Sequence, residues 1–152
     1  MVKHFRELRI YRQAFRAART IFRLSKDWPS EERYALMDQI RRSSRSVCAN
    51  TSEAWRKRRY VKHFVSKLSD ADAEAAETQC WLDFALDCDY LKRSDYEQLN
   101  EQYEIIIGGL VKMMTSPERW CSPSSKIHEE ETDYLVGKNP HPPIHPDTHT
   151  QP

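Results

Sequence analysis

Apolar residues in the stretch from Tyr34 to Arg59 recur three, four or seven positions apart, which is the spacing of one face of an α-helix. They are Leu36, Ile40, Val47 and Ala54. This stretch therefore predicts one long amphipathic helix that packs its apolar face against other elements. A second stripe, which is polar, lies beside the first and consists of Gln39, Ser43, Ser46, Asn50 and Glu53.

Similar spacing predicts three further helices, so that the helix described above is the second of four. The first helix runs from about residue 5 to residue 26, and the second begins at Ser30, which is expected to cap it. The third spans about residues 60–89, and the fourth follows a second capping residue, Ser94. Only three glycines, 31% charged residues and the lack of an alternating apolar pattern agree with an all-α fold. Because the connections are short, we expect an antiparallel up-down four-helix bundle over residues 1–118.

The composition changes near the end of the chain. Six of the eight prolines lie at or beyond Pro123, and apolar residues are sparse there. Residues 119–152 are therefore predicted to form a disordered Pro/His-rich tail. Three histidines of the tail recur every four residues, but neighbouring prolines exclude the helix that would gather them on one metal ion, so no metal site is expected. The histidines are His141, His145 and His149, and the prolines are Pro142, Pro143 and Pro146.

The net charge of +1 hides an asymmetry along the chain. Residues 1–62 carry a net charge of +11, residues 63–122 carry −7, and residues 123–152 carry −3. A basic half followed by an acidic half has two interpretations. Either the basic half binds a polyanion, or the two halves face each other within a subunit or between subunits.

The first helix carries two neighbouring apolar stripes, which together cover roughly half of its circumference. A helix of an isolated bundle needs a narrower apolar face, so the second stripe suggests burial against another subunit. The simpler alternative is that alanines fill the flanks of the core. One stripe is Leu8, Tyr11, Phe15, Ala18 and Phe22, and the other is Ile10, Ala14, Ala17, Ile21 and Leu24.

Arginines occupy the remaining arc of the first helix and recur in the second. Arginine binds phosphate in a bidentate geometry, and aromatic neighbours such as Trp55 and Tyr60 could stack on unpaired bases. Ion pairing with the acidic helices, or a cationic face that only contacts water, would explain the same pattern. The candidate nucleic-acid-binding residues are Arg9, Arg12, Arg16, Arg41, Arg42, Arg45, Arg56, Lys57, Arg58 and Arg59.

The polar stripe of the second helix, from Gln39 to Glu53, also has two interpretations. It could line a cleft that binds a polar ligand or nucleic acid. Alternatively, it could form a buried hydrogen-bond network that fixes the helix register, and this interpretation is favoured because buried polar groups must be paired.

Other classes of function find little support. There is no Glu-x-x-His motif and no glycine-rich phosphate loop, so we expect no enzymatic activity and no cofactor. The N-terminal segment is charged where a signal peptide needs apolar residues, and the longest apolar run, near residues 105–107, is far too short to span a membrane. Four cysteines without CxxC spacing suit a reducing compartment. A cytoplasmic protein without membrane association is expected.

Several segments give the sequence a specific likeness. They are FRELRIYRQA at 5–14, WPSEERYAL at 28–36, QIRRSSRSV at 39–47, AN-x-x-E at 49–53, and ETQ at 77–79 with DYL at 89–91. Over about residues 4–115 the chain resembles the four-helix-bundle family of 23S rRNA intervening-sequence proteins. It departs from the family pattern at Ala54, where glycine is usual, and at Thr51, where isoleucine is common.

The resemblance implies a cytoplasmic bacterial bundle that assembles as a ring, with five subunits expected. A distantly similar bundle, an accessory protein of reverse transcriptases, is a basic pentamer that binds nucleic acid. The resemblance supplies no catalytic residues. We therefore expect a non-enzymatic, ring-forming bundle that binds RNA or DNA through a basic surface. The alternative is a structural or scaffolding homo-oligomer that binds a protein partner and no nucleic acid.

Overall fold

The computed structural model describes residues 1–121 and contains four long helices. They are α1 (Arg9–Ser25), α2 (Asp38–Arg56), α3 (Val61–Asp87) and α4 (Arg93–Thr115). No strand occurs in this part of the chain, so the all-α prediction is confirmed. The antiparallel order of the helices stays a prediction, as does the domain boundary at residue 118. Of the predicted tail (residues 119–152), Arg119 ends a short 3₁₀ helix and Cys121 is buried against the core. From residue 122 onward the predicted tail, with its histidines, lies outside the described residues.

A single apolar core joins the four helices. The stripes predicted for α2, α3 and α4 face this core, which explains why their members are almost inaccessible to solvent. On α1, in contrast, only one of the two apolar stripes faces the core along the middle of the helix. This stripe contains the buried residues Ala14, Ala17 and Ile21. The largest fully buried side chains include Ile21, Ile40, Phe64, Leu68, Leu82, Leu99, Tyr103, Ile106 and Leu110.

The chain enters α2 through an irregular segment rather than through a serine cap. Ser30–Glu32 forms a short 3₁₀ helix, and the turn at Arg33–Met37 is kinked at Ala35, whose backbone angles (φ −119°, ψ −110°) are non-helical. The Glu32 carboxylate accepts a hydrogen bond from the Leu36 amide at 3.4 Å, and its other oxygen accepts one from the Tyr90 hydroxyl at 3.1 Å. The predicted Ser30 cap of α2 is therefore wrong, because the side chain of Glu32 caps this segment.

The predicted cap of α4 is wrong as well. Lys92 occupies the cap position without a side-chain hydrogen bond, and Ser94 lies inside the first turn. Of the two adjacent glycines inside α4, Gly108 and Gly109, only the second marks a close approach to another helix. A Cβ atom at Gly109 would come within 2.8 Å of the Ile10 side chain, whereas one at Gly108 would meet nothing within 4 Å.

Candidate nucleic-acid interface

A groove of about 470 Å³ runs along the surface between α1 and α2. Its α1 side carries the outer apolar stripe of that helix, including Tyr11, Phe15 and Phe22. Phe15 remains 51% exposed, although the sequence pattern indicated burial. Arg19 of α1 and Arg45 of α2 also line the groove, and none of its ten lining residues is acidic. The groove, which we call the α1–α2 groove, therefore combines aromatic and cationic side chains, and a carboxylate, that of Asp38, lies in the adjacent shallow pocket at its Phe22 end.

Three cations surround the ring of Phe22 at one end of this groove. Lys26 Nζ and Arg41 Cζ each lie 4.8 Å from the ring centroid, and Arg45 Cζ lies 5.3 Å from it. Such cation–π contacts favour each cation separately, but the cations repel one another. Arg41 Nε also donates a hydrogen bond to Ser25 Oγ at 2.8 Å. Partial burial, reinforced by the charge of Arg45 and partly opposed by that of Asp38, lowers the pKa of the Arg41 guanidinium. An anion bound here would offset the repulsion between the two arginines.

Arg42 differs from the other candidate cations because it pairs with the acidic half of the chain. Its guanidinium lies 2.6 Å from Glu77 Oε1 and 3.4 Å from Glu74 Oε1, both on α3. The hydrogen bond to Glu77 is the main reason why the pKa of Arg42 is raised. At Arg42, the interpretation in which the basic half of the chain faces its acidic half agrees with the structure.

Two further candidate cations are held by backbone carbonyls. Arg12 Nε donates to the carbonyl of Arg6 at 2.8 Å. Arg58 donates to the carbonyl of Trp55 at 2.7 Å and lies 4.1 Å above the Trp55 ring. Trp55 is only 5% exposed, so the expectation that it stacks on bases is wrong. Tyr60 is half-buried, with its ring 5.4 Å from that of His63.

The remaining candidate cations are exposed, and within residues 1–121 their side chains form no ion pair. They are Arg9, Arg16, Arg56, Lys57 and Arg59. Three of them, Arg56, Lys57 and Arg59, lie together where α2 ends and the turn to α3 begins. The structure therefore contains two separate groups of cations, one beside the α1–α2 groove and one at the end of α2.

The polar stripe of α2 does not form one continuous site. Ser43 is fully buried, and its hydroxyl lies 2.9 Å from Thr78 Oγ1 on α3. Asn50 and Glu53 both contact Lys67 of α3, at 3.2 Å and 2.9 Å. Gln39, which is exposed, and Ser46, which is half-buried, instead line a shallow pocket with Arg41, Arg42 and Arg45. Ser43, Asn50 and Glu53 thus connect α2 with α3. Gln39 and Ser46 lie beside the basic surface.

Sequence reasoning missed the aromatic side of the α1–α2 groove. It assigned Tyr11, Phe15 and Phe22 to the core or to a subunit contact, because spacing alone does not distinguish the centre of a helix face from its flank. The available signal was the adjacent row of arginines on α1, which sets the aromatic stripe at the boundary with water.

The described helices contain no apolar segment long enough to cross a membrane. Within residues 1–121, no three His, Cys, Asp or Glu side chains come together in a way that could hold a metal ion. What distinguishes the surface of this part of the chain is the arrangement of its cations.

Comparison with known proteins adds a family and a fold. No curated protein matches the chain. A crystal structure of a protein of unknown function from the S23 ribosomal protein family of Bacteroides thetaiotaomicron is similar, with 26% sequence identity and a TM-score of 0.61. The match covers 69% of this chain and 97% of that one. The family model for the 23S rRNA-intervening sequence protein matches residues 6–112. Because this match includes well over half of the sequence, the chain belongs to the 23S rRNA-intervening sequence protein family.

Proposed function

We propose that this protein is a non-enzymatic, ring-forming helical bundle that binds RNA or DNA through its basic surface. One observation carries the proposal. Among the ten candidate cations, Arg42 alone forms an ion pair with a carboxylate within residues 1–121. A basic half whose charges were neutralised by the acidic half would show many such pairs. The exposed cations instead remain available to an external polyanion.

The charge distribution makes phosphate the most suitable partner chemistry. Clustered cations raise the local potential, and each phosphate that they neutralise releases condensed counterions. Assembly would repeat the basic surface in every subunit, and a ring of five subunits is what the family resemblance implies. Several weak phosphate contacts on one ring would then add up through effective concentration.

The end of α2 offers a direct test of this proposal. In a variant with Arg56→Gln, Lys57→Gln and Arg59→Gln, affinity for an RNA hairpin should fall. The slope of log affinity against log salt should become shallower by about 2, because up to three phosphate contacts are lost. Fluorescence anisotropy with a labelled hairpin at several salt concentrations measures both quantities.

A matched control removes the same charge from the acidic half. The variant Lys92→Gln, Arg93→Gln and Lys112→Gln also changes three exposed cations, all at or in α4. It should retain most of the affinity and the salt slope. If both triple variants weakened binding equally, only net charge would matter and the end of α2 would not be a site.

A second function, an assembly scaffold without nucleic-acid binding, is favoured by one further observation. On α4, which belongs to the acidic half, Ile105 and Val111 are 48% and 41% exposed. These exposed aliphatic groups of α4 and the exposed aromatic ring of Phe15 in the α1–α2 groove give one subunit two different apolar surfaces that neighbouring copies can cover. Two different complementary faces on one subunit produce head-to-tail contacts, which close into a ring when the rotation permits.

A further inference from the structure

We propose that the α1–α2 groove is a site for single-stranded RNA or DNA, in which unpaired bases stack on Tyr11 and Phe15 of α1 and the phosphates contact the flanking cations, three of which surround the Phe22 ring. The inference rests on the proposed function and adds to it the class of nucleic acid and the residues that distinguish it. It also assigns base stacking to residues other than Trp55, which is buried.

The aromatic side of the groove has the form that stacking requires. Tyr11 and Phe15 lie one helical turn apart, with ring centroids separated by 6.2 Å, and Phe22 lies two turns further along α1. At a rise of about 1.5 Å per residue, the three aromatic residues extend over about 16 Å of helix. Phe15 in the middle is half-exposed and therefore open to a partner. Stacking on such rings tolerates any base, because every base has a flat π-face.

Cations border the aromatic residues on both sides. Arg19 belongs to α1 and Arg45 to α2, while Lys26 and Arg41 lie at the end marked by Phe22. A single strand presents bases and phosphates together along one line, which suits a groove with aromatic residues and cationic borders. A duplex keeps its bases inside, so it could use only the cations of this groove. The groove should therefore favour a single strand over a duplex.

Other occupants fit the groove less completely. An apolar helix would cover Phe15 but would leave the cations around Phe22 without an anion. The aliphatic surface of α4 in a second copy would cover Phe15, but it would offer no flat groups to the aromatic rings, and the pocket around Ile105 contains Arg9, Lys112 and Arg119 but no carboxylate. The measurements below distinguish a second copy from a single strand.

The variant Phe15→Ser removes the exposed ring and keeps every cation. Fluorescence anisotropy with a labelled single-stranded 12-mer should show an affinity loss of about tenfold, the value typical of one lost base–aromatic stack. The affinity for a blunt duplex of the same length should stay unchanged, because the phosphate contacts are intact. The matched control is Phe84→Ser on α3, which removes a ring of 52% exposure outside the groove and should leave both affinities unchanged.

Three results would overturn the inference. Single-strand binding could survive Phe15→Ser, or single-strand and duplex binding could fall equally, or the Phe84 variant could show the same loss. Light scattering on the same samples adds a fourth such result, since dissociation of an oligomer by Phe15→Ser would identify the groove as a subunit contact. Circular dichroism and thermal unfolding confirm that each variant is folded.

The same titrations separate the two proposals. If the wild-type protein binds both probes and Phe15→Ser changes neither affinity, the groove is not the site but the proposed function stands. If the wild-type protein binds neither probe even at low salt, the proposed function itself is wrong.

Discussion

Cys48 lies in the α1–α2 groove, where the neighbouring helix half-buries its thiol. Burial raises the pKa of Cys48 to about 11, because the thiolate would lose its hydration. The other end of the groove, around Phe22, contains three positively charged side chains. A neutral thiol and closely spaced cations therefore share one groove, and the chemical reactivity of Cys48 reports on its surroundings.

This pKa predicts a difference in alkylation between cysteines. At pH 8 only about one Cys48 thiol in a thousand is ionised, so iodoacetamide should modify the exposed Cys80 and Cys88 at least about tenfold faster. The rate at Cys48 should rise about tenfold per pH unit until the pH approaches 11. Peptide mass spectrometry after timed quenching measures each site. In urea the three rates should converge, and equal rates in the folded protein would contradict the prediction.

Some individual residues could be assigned from the sequence and others could not. Ser43 was correctly treated as a residue that could be buried and hydrogen-bonded, because its position beside the apolar stripe of α2 is fixed by helical spacing. Trp55 was assigned wrongly, since it is buried rather than open to bases, whereas Phe15 is exposed in the single subunit, so its burial against another subunit stays a prediction. Both lie at the edge of an apolar face, where the position of the neighbouring helix decides burial and the sequence does not define that position.

At the scale of elements, α3 and α4 behave as their periodicity predicts. Phe64, Leu68 and Leu82 of α3 face the core, as do Leu99 and Ile106 of α4. The start of α2 was not predictable in the same way. The kinked turn before it contacts Tyr90, a residue 58 positions away in the sequence, through Glu32. This long-range contact overrode the local cap signal at Ser30. At α4 the helix begins at Arg93, one residue before Ser94, with Lys92 at the cap position.

The two glycines of α4 predict opposite effects of one substitution. Gly108→Ala should raise the free energy of unfolding by about 1 kcal/mol, because alanine favours the helix and the added methyl group meets open space. Gly109→Ala should lower it by about 1 kcal/mol, because the methyl group would collide with Ile10 of α1. Urea denaturation followed by circular dichroism gives both values. Similar effects at the two positions would show that α1 and α4 do not approach each other closely at this point.

At the scale of the whole molecule, the described chain has a basic, aromatic side on α1 and α2 and an acidic side on α3 and α4. The charge imbalance could be read from the sequence. Which charges pair within a subunit could not, and Arg42 and Lys67 proved to be the cations that connect α2 with α3. Both proposed functions rely on these two sides of the molecule. The functions are distinguished by how the mass of the assembly and the affinity for nucleic acid change with salt concentration.

If assembly relies on charge contacts between subunits, its mass should depend on salt. Light scattering at about 0.05 M and about 1 M salt should then show dissociation at the higher concentration, where the Debye length falls to about 3 Å. If the basic side instead faces solvent and binds nucleic acid, the mass should stay constant while nucleic-acid affinity falls. A constant mass together with no nucleic-acid binding would contradict the nucleic-acid function and would exclude assembly through charge contacts.

The kink at Ala35 has a consequence for how α2 joins the rest of the chain. Because the backbone angles of Ala35 are non-helical (φ −119°, ψ −110°), continuous helical hydrogen bonding does not carry the register of the preceding turn into α2. The Glu32 side chain bridges the break by accepting a hydrogen bond from the Leu36 amide. Homologous chains are therefore expected to tolerate a one-residue length difference before the kink while the rest of α2 keeps its length.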